Sequence, residues 1–358
     1  MKKKICLIAQ FPPPIHGLSK AVDTLIHSPL SKEFDLEIVN ITNNRRFLSN
    51  LIKIFKSNAD LFYLTISQTK GGNLRDLMIL TLLNFQKKRT LIHLHGGYYR
   101  TLVDTELSSL QSKWNYKTLS KVDGAIVLSE SLKSNFANMI EDGKSFVISN
   151  CIDNEFLLTD EEFSVKLANL SKKKVINVLY LSNFIKTKGY VKVLELARLE
   201  KKRVNSGEEK RFHFDFAGNF FDDKERNYFF SYIQKNALQE FVTYHGVVGG
   251  KEKKELLRTS DIFILLSRYP NEGQPISILE AMGNGCLIVT TDHAGIVDIV
   301  KDKINGIVVN SKQQKNLETL YEKLCWNKEV SIRNRATILK NYTESIYINK
   351  IREIFSKL

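Results

Sequence analysis

Cysteine is scarce: Cys6, Cys151, Cys286 and Cys325 stand alone, in none of the paired spacings of a zinc site or a disulfide framework. They read as reduced thiols of a cytosolic protein. Long apolar runs are also missing. The longest, Leu77 to Phe85, is about half of what a spanning helix needs, so the chain is not expected to cross a membrane. The opening MKKKICLIAQF turns to prolines after one short apolar run, which argues against a secretory signal. No basic run is interleaved with aromatics and no zinc spacing occurs, so nucleic acid is not an expected partner. No internal repeat or low-complexity tract stands out.

What is present is a chain of 358 residues, longer than one hydrophobic core usually supports, so two domains are the default. Its net charge of +14 asks for an acidic partner, and anionic lipid fits better than nucleic acid. The segment NNRRFLSNLIKIFKSN, Asn43 to Asn58, sets Phe47, Leu48, Leu51, Ile52 and Phe55 at helical spacing among Arg45, Arg46, Lys53 and Lys56. Such a stripe suits a membrane surface, and it equally suits packing on the protein's own sheet.

Apolar strands alternate with helical patterns, the mark of parallel sheets covered on both faces. The first series is KICLIA, LEIVN, LFYLT, TLIHL, GAIVL and SFVIS, with helices starting near Leu18, Phe47, Leu74, Glu106 and Ser131. After the polar stretch Thr159 to Lys174 comes a second series: VINVLYL, FHFDFA, VTYHG, IFILL, CLIVT and GIVV. The expected class is α/β, two Rossmann-like doubly wound domains facing across a cleft, at 1–165 and 166–335. In such folds ligands lie beyond the carboxyl ends of the strands.

The most informative stretch is SRYPNEGQPISILEAMGNGCLIV, from Ser267 to Val289. Asn271 and Gly273 mark a loop, Pro275 suits the first turn of a helix, and Ile276 to Met282 reads as a short helix ending at Gly283. Glu272 then lies in the loop and Glu280 on the helix. The helix start offers unpaired N–H groups and a positive dipole end to an anion such as a diphosphate, with carboxylates to meet hydroxyls on either side. The competing reading makes Glu272 a loop charge and Glu280 a solvated helix charge.

The motif Glu272-Gly273-Gln274-Pro275, followed by Glu280-Ala281-Met282, resembles the signature of the retaining GT-B glycosyltransferases of family 4. Gly246 and Asp261 upstream, and Gly295, Asp298 and Asn305-Gly306 downstream, match in the same order, which raises the specificity. The resemblance implies a GT-B fold, with the tail 336–358 a helix crossing back to the first domain. It implies transfer of a sugar from a nucleoside diphosphate sugar to an acceptor hydroxyl. Glu272 would hold the donor sugar's hydroxyls and Glu280 those of the ribose, while N–H groups from Gln274 through Pro275 and Ile276 to Ser277 would face the diphosphate.

Other family positions follow residue by residue. His16 and Gly17 close a loop after the first strand that resembles the proline-glycine loop over the donor phosphates; relatives carry two glycines where Gly17 is followed by Leu18. His95, before Gly96-Gly97, matches a histidine that contacts the transferred sugar, and a neutral imidazole can bond a hydroxyl without a countercharge. His93 reads as core. Lys188-Gly189 matches the lysine that neutralises the leaving diphosphate, but Asn183 stands where relatives have an arginine; Lys186 is the candidate substitute, unless both lysines are a solvated charge run. Gly218 falls beside the nucleotide, and Val247 and Val248 in the segment that meets the base.

No Asp-x-Asp occurs, so no metal cofactor is expected, the nucleotide sugar being a co-substrate; Asp222-Asp223 reads as a helix start. A double-displacement glycosidase is disfavoured because it needs carboxyls about 5 Å apart. The expected acceptor is a saccharide, on the charge argument a lipid-linked one at the inner face of the cell membrane, as in surface polysaccharide assembly. Two other readings stand beside this one. One is a non-catalytic GT-B partner or activator, kept open by Asn183 and the single Gly17. The other is a soluble sugar synthase of the same fold.

Overall fold

The computed structural model describes residues 2–11, 17–170, 172–310 and 317–358, the side chains of 17–20 excepted. The chain forms two compact units. One comprises Met1–Asn150, Pro270–Gln274 and Glu344–Leu358, the other Cys151–Tyr269 and Pro275–Thr343.

In the first unit, β1 (Lys4–Ala9), α1 (Gly17–His27), β2 (Asp35–Asn40), α2 (Phe47–Lys56), β3 (Leu61–Ile66), α3 (Lys70–Phe85), β4 (Thr90–Leu94), α4 (Ser109–Leu119), β5 (Gly124–Val127) and β6 (Ser145–Val147) follow in turn. The six strands form one sheet in the order β2-β1-β3-β4-β5-β6, with every neighbouring pair parallel. Strands such as Leu61–Ile66, buried at every position, must be covered on both faces, which is why they read as unbroken apolar runs. Three starts differ from expectation. The helix expected near Leu74 begins at Lys70, capped by the Thr69 side chain. The helix near Glu106 begins at Ser109, where the Ser108 hydroxyl caps the Gln111 N–H, and the segment at Ser131–Phe136 is a 3-10 helix.

The second unit contains α5 (Asp160–Leu170), β7 (Ile176–Leu181), α6 (Tyr190–Asn205), β8 (Phe212–Ala217), α7 (Asp223–Lys235), β9 (Val242–Tyr244), α8 (Gly250–Thr259), β10 (Ile262–Leu265), α9 (Ile276–Gly283), β11 (Leu287–Thr291), β12 (Gly306–Val309) and α10 (Lys328–Asn341). Its sheet runs β12-β11-β10-β7-β8-β9, again parallel throughout. Phe184 sits at the middle of an aromatic cluster, with ring centroids 4.4 Å from Phe220, 5.0 Å from Phe229 and 5.3 Å from Tyr190.

The division of the chain differs from the expected 1–165, 166–335 and 336–358. The polar stretch Thr159 to Lys174 contains helix α5, and it belongs to the second unit because Lys166 is buried there. The Lys166 ammonium donates to the carbonyls of Leu257 (3.0 Å) and Asn284 (2.7 Å), at the ends of α8 and α9. A buried lysine satisfied by helix-end carbonyls reads in sequence as a solvated charge. The expected tail helix is two helices: α10 in the second unit, then, after a break at Tyr342-Thr343, α11 (Glu344–Lys357) in the first. There Phe355 lies edge-on to Tyr63 at 5.8 Å and to Phe34 at 5.7 Å.

Candidate functional site

The signature stretch is divided. Glu272, Gly273 and Gln274 pack with the first unit, and Glu280 with the second. In the first unit β4 ends at Leu94, and His93 and His95 project to the same side as alternate strand residues. Their rings stack at 3.9 Å with 29° between planes, and the Tyr63 hydroxyl lies 2.6 Å from His93 Nδ1. His93 is fully buried, as the core reading expected. Burial, with the neighbouring His95, holds its pKa well below the usual histidine value, so the ring is neutral.

The Gly273 backbone is seated directly on the His95 loop. A Cβ there would lie 2.7 Å from the His95 carbonyl oxygen and 2.9 Å from Gly96 Cα, so glycine is required by close approach. Glu272 is thereby brought to the His95-Gly96 backbone, and it is only 6% exposed. The Gln274 side chain and carbonyl are taken up by the first unit itself. Its Oε1 accepts from Asn150 N (2.7 Å), its carbonyl from Asn150 Nδ2 (2.8 Å), and its Nε2 donates to Leu128 O (3.2 Å), which clamps the loop to the first unit. His16 lies outside the described residues; Gly17 opens α1.

In the second unit the loops after β7, β8 and β9 interlock. Gly218, at φ +141°, would place a Cβ 2.0 Å from the Ser182 carbonyl oxygen. Its N–H donates to Gly246 O at 2.8 Å, so the packing of one loop on the next already demands the missing side chain, whatever ligand is present. His245 Nε2 meets Asp215 Oδ1 at 2.7 Å and fixes the start of the segment carrying Val247, which is 71% exposed, and the half-buried Val248.

The cations are arranged differently from the sequence reading. Asn183 is exposed, and Lys186 turns toward α7: its N–H donates to Glu225 Oε1 (3.1 Å) and its ammonium lies 6.0 Å from the Tyr228 ring centroid. Lys188 instead lies over Tyr269 at 5.2 Å, on the segment that follows β10. On that segment Arg268 donates its N–H to the Thr187 carbonyl at 2.6 Å, joining the two loops. Lys192, in the first turn of α6, has its pKa lowered by burial and by the charge of Arg268. Arg268 and Lys192 carry no motif of their own, and sequence reasoning passed over both.

Helix α9 begins at Ile276 after Pro275, which sits at the cap with extended backbone and no side-chain hydrogen bond to the helix start. Pro275 therefore precedes the helix instead of occupying its first turn. Glu280, 3% exposed, receives a bond from the Lys253 ammonium at 2.6 Å, and that ammonium rests 4.1 Å from the Phe156 ring centroid. Lys253 is one of four lysines and arginines in α8, indistinguishable by sequence from the rest. Among the described residues, no group of three or more His, Cys, Asp or Glu could hold a metal ion. Asp222 caps α7, accepting from Glu225 N at 2.9 Å. No described helix is long and apolar enough to cross a membrane.

The comparisons with known proteins converge on one family. The family model described as "Glycosyl transferases group 1" matches residues 160–343, more than half of the chain. A relative from Klebsiella pneumoniae, an uncharacterized 41.2 kDa protein in the cps region, is 23% identical over 283 residues, covering 76% of this chain and 71% of that one. A GDP-mannose:cellobiosyl-diphosphopolyprenol alpha-mannosyltransferase from Xanthomonas oryzae is 23% identical over 228 residues, covering 62% of this chain and 54%, about half, of the relative's length. Among solved structures, Anabaena Alr3699/HepE in complex with UDP superposes with a TM-score of 0.74 at 15% identity, over 99% of this chain and 100% of that one. With the two parallel six-stranded sheets, this likeness shows the GT-B fold and, at such identity, the fold alone.

Proposed function

Since the chain belongs to the glycosyl transferases of group 1, we propose that it moves a sugar from a nucleoside diphosphate sugar to a hydroxyl of a lipid-linked saccharide, with retention at the anomeric carbon. In this reading it is a family 4 enzyme acting at the inner face of the cell membrane. The observation that carries the reading is the burial of both signature carboxylates, Glu272 at 6% and Glu280 at 3% exposure. Most loop and helix charges stay in solvent, because burying a carboxylate is costly.

Glu280 accepts the ribose hydroxyls, and the bond from Lys253 keeps it oriented for them. Lys188, Lys192, Arg268 and the uncapped N–H groups at the start of α9 meet the diphosphate. Arg268 and Lys192 thereby make good the arginine that Asn183 replaces. Glu272 accepts hydroxyls of the sugar, and His95 bonds one more, so that the anomeric carbon is held while its bond to the diphosphate oxygen breaks. No side chain is assigned as nucleophile. The acceptor hydroxyl attacks from the face the diphosphate leaves, and a departing phosphate oxygen takes its proton. Charge developing on that phosphate is met by fixed cations and amides, a contribution of several kcal/mol in such sites. Metal has no part in this scheme, so activity survives EDTA.

The test is transfer by the purified protein from UDP-, GDP-, dTDP- and ADP-sugars to polyprenyl diphosphate-linked saccharides, with the new linkage assigned by NMR. Product with the donor's anomeric configuration is expected. Inversion would overturn the mechanism, and no transfer from any donor would favour the partner-protein reading.

A further inference from the structure

We infer that helices α2, α3 and α4 form a docking surface for a bilayer containing anionic lipid. The sequence left α2 divided between sheet packing and a membrane, and the structure divides its residues. Ile54 is fully buried beneath the helix, whereas Leu48, Ile52 and Phe55, at spacings of four and three on one helical face, are 74%, 57% and 54% exposed. The stripe does not end with α2. Gln86 Nε2 donates to Phe55 O at 2.9 Å, which sets the end of α3 beside the end of α2 and brings up Phe85, 82% exposed. Trp114 of α4 bonds Thr81 of α3 at 2.9 Å, and Gln111 bonds Asn73 at 2.9 Å, so Leu110 of α4, also 82% exposed, lies by the start of α3, at the other end of that helix from Phe85. The connections from β2 to β3, β3 to β4 and β4 to β5 all advance the same way across the sheet, and the right-handed crossover rule for parallel strands then places the three helices on one face. Exposed apolar side chains gathered on one face mark an interaction site.

Charge selects the partner. Across residues 43–58, 70–89 and 108–121 the one acidic residue is Asp76, which is buried and paired with Arg75 at 2.8 Å. Arg45, Arg46, Lys56, Lys87, Lys113 and Lys117 are exposed around the patch, while Lys53 is held back by a 2.6 Å bond to Ile38 O. A second copy of the chain would set these cations against their like. Nucleic acid would gain nothing from the Leu48, Ile52 and Phe55 stripe. A layer of anionic headgroups over acyl chains satisfies both features, with apolar tips entering the acyl boundary and cations at the headgroups. The inference rests on exposure and charge, and holds whatever sugar is moved.

Cosedimentation of the full chain with phosphatidylcholine vesicles, with and without phosphatidylglycerol, tests it at moderate salt. Binding is expected with the anionic vesicles. Arg45→Gln/Arg46→Gln/Lys56→Gln and Leu48→Ser/Ile52→Ser/Phe55→Ser should each weaken it on the order of tenfold. Nucleotide-induced thermal stabilisation in the same samples keeps the fold and the donor reading separate from the outcome. Should the apolar triple variant fail to fold, Phe85→Ser alone takes its place. Equal binding to neutral vesicles, no binding, indifference to the apolar substitutions, or a wild-type dimer that the apolar variant dissolves would each overturn the proposal.

Discussion

The two carboxylates of one short motif are held in opposite ways. Glu280 is a helix residue joined to a cation, Lys253, inside the second unit. Glu272 is a loop residue of the first unit, placed by a glycine seated on the His95 backbone and by a glutamine that spends its side chain on Asn150 and Leu128. The lesson is that the motif is two devices: a charge fixed by an ion pair, and a charge fixed by backbone packing. The helices over the two sheets differ in parallel. Those of the second unit carry both signs and tie them together, as in Arg258–Glu255 at 2.5 Å and Lys254–Glu162 at 2.9 Å. Those of the first, α2 to α4, are cationic with an outward apolar stripe.

The largest effect expected from breaking the contrast is on catalysis. Glu272→Ala should lower kcat by about a thousandfold, the scale of losing one preorganised transition-state contact, while binding of the free nucleoside diphosphate changes little; steady-state kinetics beside calorimetry separate the two. Next comes Lys253→Met, which leaves Glu280 buried without its cation. It should cost about 3 kcal/mol in urea unfolding and weaken nucleotide binding as well. Arg268→Gln should lower kcat roughly tenfold to a hundredfold with the fold intact, since the proposed role of its cation is to meet the diphosphate; a rate unchanged from wild type would return the burden to Lys188 and Lys192.

The smallest effect is one of pH. His93 is neutral in the fold because its pKa is depressed, whereas the unfolded chain takes up a proton below about 6.5. The unfolded state then binds more protons, so stability falls as pH drops through that value, by up to about 1.4 kcal/mol per pH unit from this group. In His93→Phe, which keeps the stack on His95 without the titration, the midpoint of unfolding should decline less steeply between pH 7 and 5.

Much of the fold was legible because its strands announce themselves. Leu61–Ile66 and Leu287–Thr291 are buried at every position, and an apolar run of that length between turn residues is too short for a buried helix and too greasy for a loop. Helix α5 was missed because the residue it buries most tellingly is Lys166, whose partners are carbonyls about a hundred residues away. The site shows the same limit. Glu272, His95, Lys188 and Glu280 are named by the motif, whereas the protein contacts that hold Gly218 and the Gln274 side chain in place are not legible there. Lys253, Lys192 and Arg268 are common residue types in helices and loops rich in the same charge, and only the fold singles them out.

The account depends most on the second unit holding a nucleotide through Glu280. Thermal unfolding against UDP-, GDP-, dTDP- and ADP-sugars without metal, wild type beside Glu280→Ala, tests that directly, because a ligand bound by the folded state alone raises its apparent stability. The account predicts stabilisation by one nucleotide class and its loss in Glu280→Ala. No stabilisation by any donor, or the same shift in the variant, would contradict it.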